Sequence, residues 1–140
     1  MPHVATFMYS ENTIQDPQAK TLQIVNPTMV FRPAFIPSLY SFSVTLSIIG
    51  LEFDKNPKLR FKFWSENELD KMLVDTGEIP LPKNDNNEDS DLPEEFRGGM
   101  LTMNFLNLPL KYVGKYFSEV FINEVSLGNF PVFVKIGGVV

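Results

Sequence analysis

The sequence predicts an all-β protein, folded as a two-sheet antiparallel β-sandwich of about seven to nine strands. Several segments alternate apolar and polar residues, and successive side chains of a strand point to opposite faces of its sheet. These segments are short and separated by turn-forming residues, and none favours a helix. Thirteen Phe accompany a single Trp. This composition favours an apolar interior between two sheets over an aromatic ligand platform.

Length and composition predict one globular domain that spans residues 1–140. The 140 residues are 44% hydrophobic and 21% charged, and a core of that size needs no disulfide or metal. The absence of cysteine excludes a disulfide framework, a thiolate zinc site and a cysteine nucleophile. No apolar run approaches the ~18 residues of a membrane helix, and the start lacks a signal-peptide pattern. We therefore expect a cytoplasmic protein without a membrane partner.

The negative charge is concentrated in one segment, residues 83–97, which we interpret as a mobile acidic loop. The whole chain has a net charge of −5 from 12 basic and 17 acidic residues. The loop contains two of the bases, and its acidic residues are Asp85, Glu88, Asp89, Asp91, Glu94 and Glu95. The remaining residues are nearly neutral, so we expect no nucleic-acid partner.

The clearest strands lie in the middle of the chain. In residues 39–49, hydroxyl side chains separate a row of apolar ones that we assign to the core: Tyr40, Phe42, Val44, Leu46 and Ile48. Gly50 then permits a turn. In the next strand Leu59, Phe61 and Phe63 share the buried face, and the opposite face carries Lys58, Arg60, Lys62 and Trp64. These last four form the candidate interaction surface, unless they are simply the solvated face of a sheet.

The segment after Trp64 fits two structures. A capping box at residues 65–68 would begin a short helix, whereas a polar turn there would lead into a strand at residues 69–75. The hairpin is favoured, because an isolated helix of about two turns is marginal. Residues 77–83 contain Pro80 and Pro82, which fits a sheet edge or a connection.

The C-terminal third predicts three more strands. The first follows Gly99 and is expected to end at Pro109. A strand around residues 116–122, apolar on both faces, is predicted to lie inside a sheet. Residues 123–128 connect it to the last strand, whose expected buried row is Phe130, Val132, Val134 and Ile136.

The N-terminal third is less regular. We expect a strand at residues 3–10 and a polar loop at residues 11–20. Residues 21–31 fit one strand broken at Pro27 or two short strands. Residues 33–37 are expected to cross the end of the core.

Two stretches resemble known proteins. GKYFSEVFIN followed by LGNFPVFV resembles the closing hairpin of immunoglobulin-like sandwiches, through Gly114, Tyr116, Val120, Gly128, Phe130 and Val132. VNPTMVFRPAFIPSLYSFSVTLSIIG followed by LRFKFW is similar to the middle of an uncharacterised family of small prokaryotic and phage-borne β-domains. The resemblance spans roughly residues 4–136. It implies a β-sandwich of bacterial or phage origin and carries no known activity or functional residue; the acidic segment 83–97 departs from it.

No catalytic or cofactor pattern is visible. The only histidine is His3, and the chain lacks GxSxG, GxGxxG and the P-loop motif. Glu119 is the one acid inside an apolar strand, and we interpret it as paired or edge-facing. Asp85, Asn87 and Asp89 have the spacing that begins a calcium loop, but Ser90 and Phe96 replace its Gly and Glu. We therefore expect no enzyme activity, no metal and no cofactor.

These observations favour a non-enzymatic protein-interaction or structural module, with a protein partner or a second copy of the chain. The candidate surfaces are the face from Lys58 to Trp64 and the acidic loop. A carbohydrate-binding module and a phage structural or host-takeover protein are the alternatives.

Overall fold

The structure, a computed structural model, describes residues 1–19, 21–81 and 92–137. The all-β sandwich prediction is confirmed in these ranges, which contain no α-helix. They form ten strands: β1 (His3–Asp16), β2 (Thr21–Thr28), β3 (Val30–Phe31), β4 (Ser38–Ile49), β5 (Lys58–Ser65), β6 (Val74–Asp75), β7 (Ile79–Pro80), β8 (Gly98–Leu110), β9 (Gly114–Ile122) and β10 (Val125–Val134). The count exceeds the prediction because β3, β6 and β7 have only two residues each.

The strands form two sheets. Sheet 1 has the order β2-β1-β4-β8, and sheet 2 has the order β3-β10-β9-β5-β6, with β7 also pairing with β5. The pairing departs from the antiparallel pattern at one place, where β3 runs parallel to β10. That pairing joins strands far apart in the chain, which local alternation does not reveal.

The core lies between the sheets, where the predicted apolar rows of β4 and β5 meet. The rings of Phe42 and Phe63 face each other from opposite sheets, with centroids 5.1 Å apart. Burying each such ring contributes roughly 2–3 kcal/mol. The largest fully buried side chains are Tyr116, Phe31, Phe42, Phe61, Phe63, Leu46, Ile48, Leu110, Val44, Val120, Val132 and Val134.

Tyr9 ties the two sheets together with a polar group inside this core. Its hydroxyl donates to the backbone carbonyl of Phe130, 2.5 Å away, and the hydroxyl of Ser118 lies 2.6 Å from it. A carbonyl can only accept, so the Tyr9 hydroxyl uses its single proton in the bond to Phe130. The Ser118 hydroxyl therefore donates its proton to the Tyr9 oxygen. Burial raises the pKa of the Tyr9 hydroxyl.

The N-terminal loop prediction is wrong, because β1 continues through residues 11–16 and pairs with β2 as a hairpin. This ribbon is exposed over most of its length, so it lacks the apolar alternation that marks a half-buried strand. The carboxylate of Asp16 accepts hydrogen bonds from the backbone of Gln18 (3.0 Å) and Ala19 (3.3 Å), which supports the turn. The break between β2 and β3 falls at Met29 rather than Pro27.

Two other boundaries differ from prediction because edge strands tolerate more irregularity. β8 continues through Pro109 to Leu110, since proline is permitted where no further strand needs its N–H. The predicted hairpin after β5 is confirmed, but its second strand is only Val74–Asp75. The preceding residues form turns, and the Leu73 N–H donates to the Phe63 carbonyl at 2.8 Å. The edge role predicted for Pro80 is also confirmed.

The closing hairpin is tighter than expected. Instead of residues 123–128, its turn contains only Asn123 and Glu124, with φ of 49° and 69°. Positive φ at both central residues is the signature of a type I′ turn. In the predicted buried row Val132 and Val134 are buried, whereas Ile136 is 46% exposed because β10 ends at Val134.

Candidate interaction surface

The candidate residues of β5 belong to a larger surface, the outer face of sheet 2. Here β5, β9 and β10 present the side chains that alternate with their core residues. We call this surface the basic–aromatic face; it consists of Lys58, Arg60, Lys62, Trp64, Lys115, Phe117, Glu119, Phe121, Pro131 and Phe133. The predicted division of β5 into two faces is thus confirmed, with Leu59, Phe61 and Phe63 buried.

Two of the predicted cations already have acidic partners at the edge of the sheet. The Arg60 guanidinium donates two hydrogen bonds to the Asp75 carboxylate, Nε to Oδ1 at 2.9 Å and Nη2 to Oδ2 at 2.7 Å. This bidentate contact, helped by the Gly77 N–H, lowers the pKa of Asp75 to about 2. Lys58 Nζ lies 3.8 Å from Glu78 Oε2. The face therefore has mixed charge at this edge.

Lys62 sits nearer the centre of the face, between an acid and an aromatic ring. It lies directly opposite Glu119 in the β5–β9 register, and its Nζ is 5.2 Å from the centroid of Phe121. Such a cation–π contact is worth about 0.5–1 kcal/mol at an exposed site. The Glu119 carboxylate accepts a hydrogen bond from the Ser126 hydroxyl at 2.7 Å, which agrees with its interpretation as a paired residue.

An apolar row crosses the face at its other end. Trp64, Phe117 and Pro131 are direct neighbours on β5, β9 and β10, and the Trp64 and Phe117 centroids are 6.0 Å apart. Phe133 follows Pro131 on the same side of β10 and is 42% exposed. The row is therefore an accessible apolar strip, with three aromatic rings and one proline, next to charged side chains.

Sequence reasoning found Trp64 but missed its neighbours in the row. The sequence of β9 is apolar on both faces, which predicted a strand inside a sheet. Phe117 was therefore not assigned to a solvent-facing surface. The register that sets Phe117 beside Trp64 and Pro131 is a long-range pairing. The available signal was the charge alternation of Lys115 and Glu119 with Phe117 between them, which marks the outer face of β9.

The acidic loop is described only at its C-terminal end. Glu94 and Glu95 are exposed and lie in a one-turn 3-10 helix, Glu94–Phe96, where a loop without regular structure was expected. The other acidic candidates, and the suggested calcium spacing, fall outside the described residues: Asp85, Asn87, Glu88, Asp89 and Asp91. In the ranges that are described, no three His, Asp or Glu side chains gather into a metal-binding group.

Comparison with known proteins adds no relative. The chain matches no family model, and no curated protein matches it. Its likeness to immunoglobulin-like sandwiches and to phage-borne β-domains therefore stays a prediction. Across the described part of the chain, no helix has the length and apolar character needed to cross a membrane.

Proposed function

We propose that this protein is a non-enzymatic interaction module that binds a partner protein through the basic–aromatic face. The observation that carries the proposal is the row Trp64, Phe117, Pro131 and Phe133, which lies on the solvent side of sheet 2 while a separate set of rings fills the core. The packing of the core therefore does not explain why these apolar side chains lie on the outer face. Burying these side chains under a partner would contribute a hydrophobic free energy of about 25 cal/mol for each Å² of apolar area covered.

The composition of the face favours a protein over other ligands. Aromatic anchors beside charged side chains are typical of protein interfaces, where a few Trp, Tyr or Arg residues supply most of the binding energy. Arg60 and Lys58 already contact carboxylates, which makes them poor contacts for a phosphate backbone. The Trp64 and Phe117 rings are tilted by 33°, and Phe lacks the polar handle that suits a sugar platform.

We further infer that the sandwich is immunoglobulin-like, a class whose scaffold commonly presents binding surfaces. Two features support this. A short strand, β3, pairs in parallel with the last strand, β10. Near the start of β9, the Tyr116 hydroxyl donates to the backbone carbonyl of Tyr112 at 2.9 Å, the arrangement called a tyrosine corner.

Site-specific photo-crosslinking tests the proposed face. A photoreactive phenylalanine analogue replaces Phe133, and the matched control carries it at Leu69, which is 67% exposed and lies outside the face. Both proteins are illuminated in an extract of the source cell, and crosslinked proteins are identified by mass spectrometry. We expect a discrete protein adduct at position 133 that excess unlabelled wild-type chain suppresses and excess Trp64→Ser chain does not.

Two results would contradict the proposal. Adducts equal in kind and amount at positions 133 and 69 would mean that the face is not selective. Binding to an oligosaccharide array that quenches Trp64 fluorescence, without any protein adduct, would instead support the carbohydrate-binding alternative. Circular dichroism of Trp64→Ser confirms that loss of competition reflects the surface rather than unfolding.

A further inference from the structure

The edge strand β8 is long and carries no charge. It has 13 residues, from Gly98 to Leu110, and pairs only with β4 among the described strands. A bulge marked by Asn107, with φ 57°, interrupts its far end. Residues 99–105 form a regular stretch without proline or charge. Natural sheets usually protect such an edge, because its unpaired N–H and C=O groups accept another strand.

The other described edges are shorter or more interrupted than the regular stretch of β8. On the opposite side of sheet 1, β2 has eight residues, and Asn26 and Pro27 interrupt its end as Asn107 and Pro109 interrupt that of β8, so its regular stretch is limited to residues 21–25. In sheet 2, β3, β6 and β7 are two residues long, and the latter two contain Asp75 and Pro80. Residues 99–105 of β8 are therefore the longest regular edge without charge or proline among the described strands.

We propose that β8 pairs antiparallel with β8 of a second copy of this chain, about a two-fold axis through Met103. The axis makes the contact self-complementary, as a closed dimer requires. It places Met100, which is 60% exposed, opposite Leu106 of the second copy, which is 75% exposed. On the inner side Leu101 meets Phe105, so apolar side chains oppose apolar ones on both faces.

Charges at the two ends of β8 favour this partner and this direction. Exposed Glu94 and Glu95 precede the strand together with one base, Arg97, and exposed Lys111 follows it. An antiparallel pair of identical strands sets the acidic end of one copy beside the basic end of the other. A parallel pair would bring the four carboxylates together and separate them from both lysines. The result is a continuous sheet of eight strands built from two copies of sheet 1.

A single introduced cysteine tests the axis directly, because the chain has no cysteine of its own. At the axis, Cα atoms of opposed residues are about 4.5–5.5 Å apart, within the range of a disulfide. In Met103→Cys the two thiols therefore meet. In the register control Thr102→Cys, the two cysteines are offset by two residues and lie about 8 Å apart. We expect Met103→Cys to form at least tenfold more disulfide-linked dimer than Thr102→Cys in a glutathione redox buffer.

Sedimentation of charge variants tests the same pairing without a covalent bond. Met100→Lys with Leu106→Lys sets like charges opposite each other twice and should weaken association about tenfold. Met100→Lys with Leu106→Glu sets unlike charges opposite each other and should restore it. The matched control, Met29→Lys with Leu69→Lys, adds the same charge at exposed positions away from β8 and should sediment like wild type.

The proposal is overturned by a wild-type chain that stays monomeric up to about 1 mM, the weak end of protein association. It is equally overturned if Thr102→Cys crosslinks as well as Met103→Cys, or if the two double-lysine variants behave alike. Should the β8 double-lysine variant fail to fold by circular dichroism, the cysteine pair decides alone. Because β8 lies in sheet 1, these results are independent of partner binding at the basic–aromatic face.

Discussion

Replacing Tyr9 with Phe should destabilise the protein by about 2 kcal/mol. The change removes the hydroxyl that donates to Phe130 at 2.5 Å and lies 2.6 Å from Ser118, and it leaves the ring in place. Each bond contributes about 1 kcal/mol net, and an orphaned buried group costs about 1–3 kcal/mol. Ser118 is fully buried and loses its acceptor, so loss of the two bonds together should cost about 2 kcal/mol, within that range.

A double-mutant cycle with Ser118→Ala isolates the bond between the two hydroxyls. We expect the double variant to be less destabilised than the sum of the single variants by about 1 kcal/mol, because the second substitution removes the group that the first orphaned. Urea unfolding followed by the fluorescence of Trp64, the only tryptophan, measures all four free energies. A Tyr9→Phe effect below about 0.5 kcal/mol, or additive effects, would refute the reasoning about this bond.

The same residue gives the protein an alkaline limit. Burial raises the pKa of Tyr9 from its ordinary value of 10.0, so the folded protein retains a proton that the unfolded chain releases. This contribution to stability is complete below about pH 10 and is lost as the pH rises through the folded pKa. Between pH 10 and 12 wild-type stability should fall by up to 1.4 kcal/mol more per pH unit than that of Tyr9→Phe. If stability fell equally with pH in the two proteins, the alkaline loss would not come from Tyr9.

Three further predictions concern a buried hydroxyl of β4, the turn between β9 and β10, and the salt bridge between Arg60 and Asp75. The Thr45 hydroxyl is buried without a hydrogen-bond partner among the described residues, so Thr45→Val should raise the free energy of unfolding by about 0.5–1 kcal/mol. The control Ser43→Ala loses a bond to Asn104 and should lower the free energy of unfolding by about 1 kcal/mol. A destabilised Thr45→Val would mean that the hydroxyl has a partner. Glu124→Gly should stabilise by about 0.5 kcal/mol in urea unfolding, because glycine accepts the φ of 69° without strain, and a loss of stability would show that the Glu124 side chain matters more. Arg60→Gln should move the NMR-detected pKa of Asp75 from about 2 up toward its ordinary 3.8. The stabilisation that wild-type Asp75 contributes above pH 3.8, and that is lost as pH falls through about 2, should then largely disappear from the variant. An unchanged pKa would assign the shift to the Gly77 N–H alone.

Local alternation was sufficient to predict the elements that build the core. In β4 and β5 the apolar residues recur at every second position, because one face of each strand points into the core between the sheets. The same reasoning failed for β1 beyond Ser10. There the hairpin is exposed on both sides, and a strand without a buried face leaves no periodic trace in its sequence.

Proline was the second source of error, because its effect depends on the position of the strand in the sheet. Pro109 was expected to end a strand, and it would do so in a central one. β8 is an edge strand, a fact set by which strands pair and not by the local sequence. Pro27 lies within β2 for the same reason.

A period of two residues within one strand was enough to predict the all-β class and the inward row of β5. The same period predicts the outward position of Lys58, Arg60, Lys62 and Trp64. Which side chains lie beside these four depends on the folded arrangement of the strands. Asp75 neutralises Arg60, and Phe117 extends the surface of Trp64, through contacts between strands distant in the chain. The edge of β8 likewise exists only once the sheets have assembled, because strand order depends on long-range pairing that no local pattern encodes.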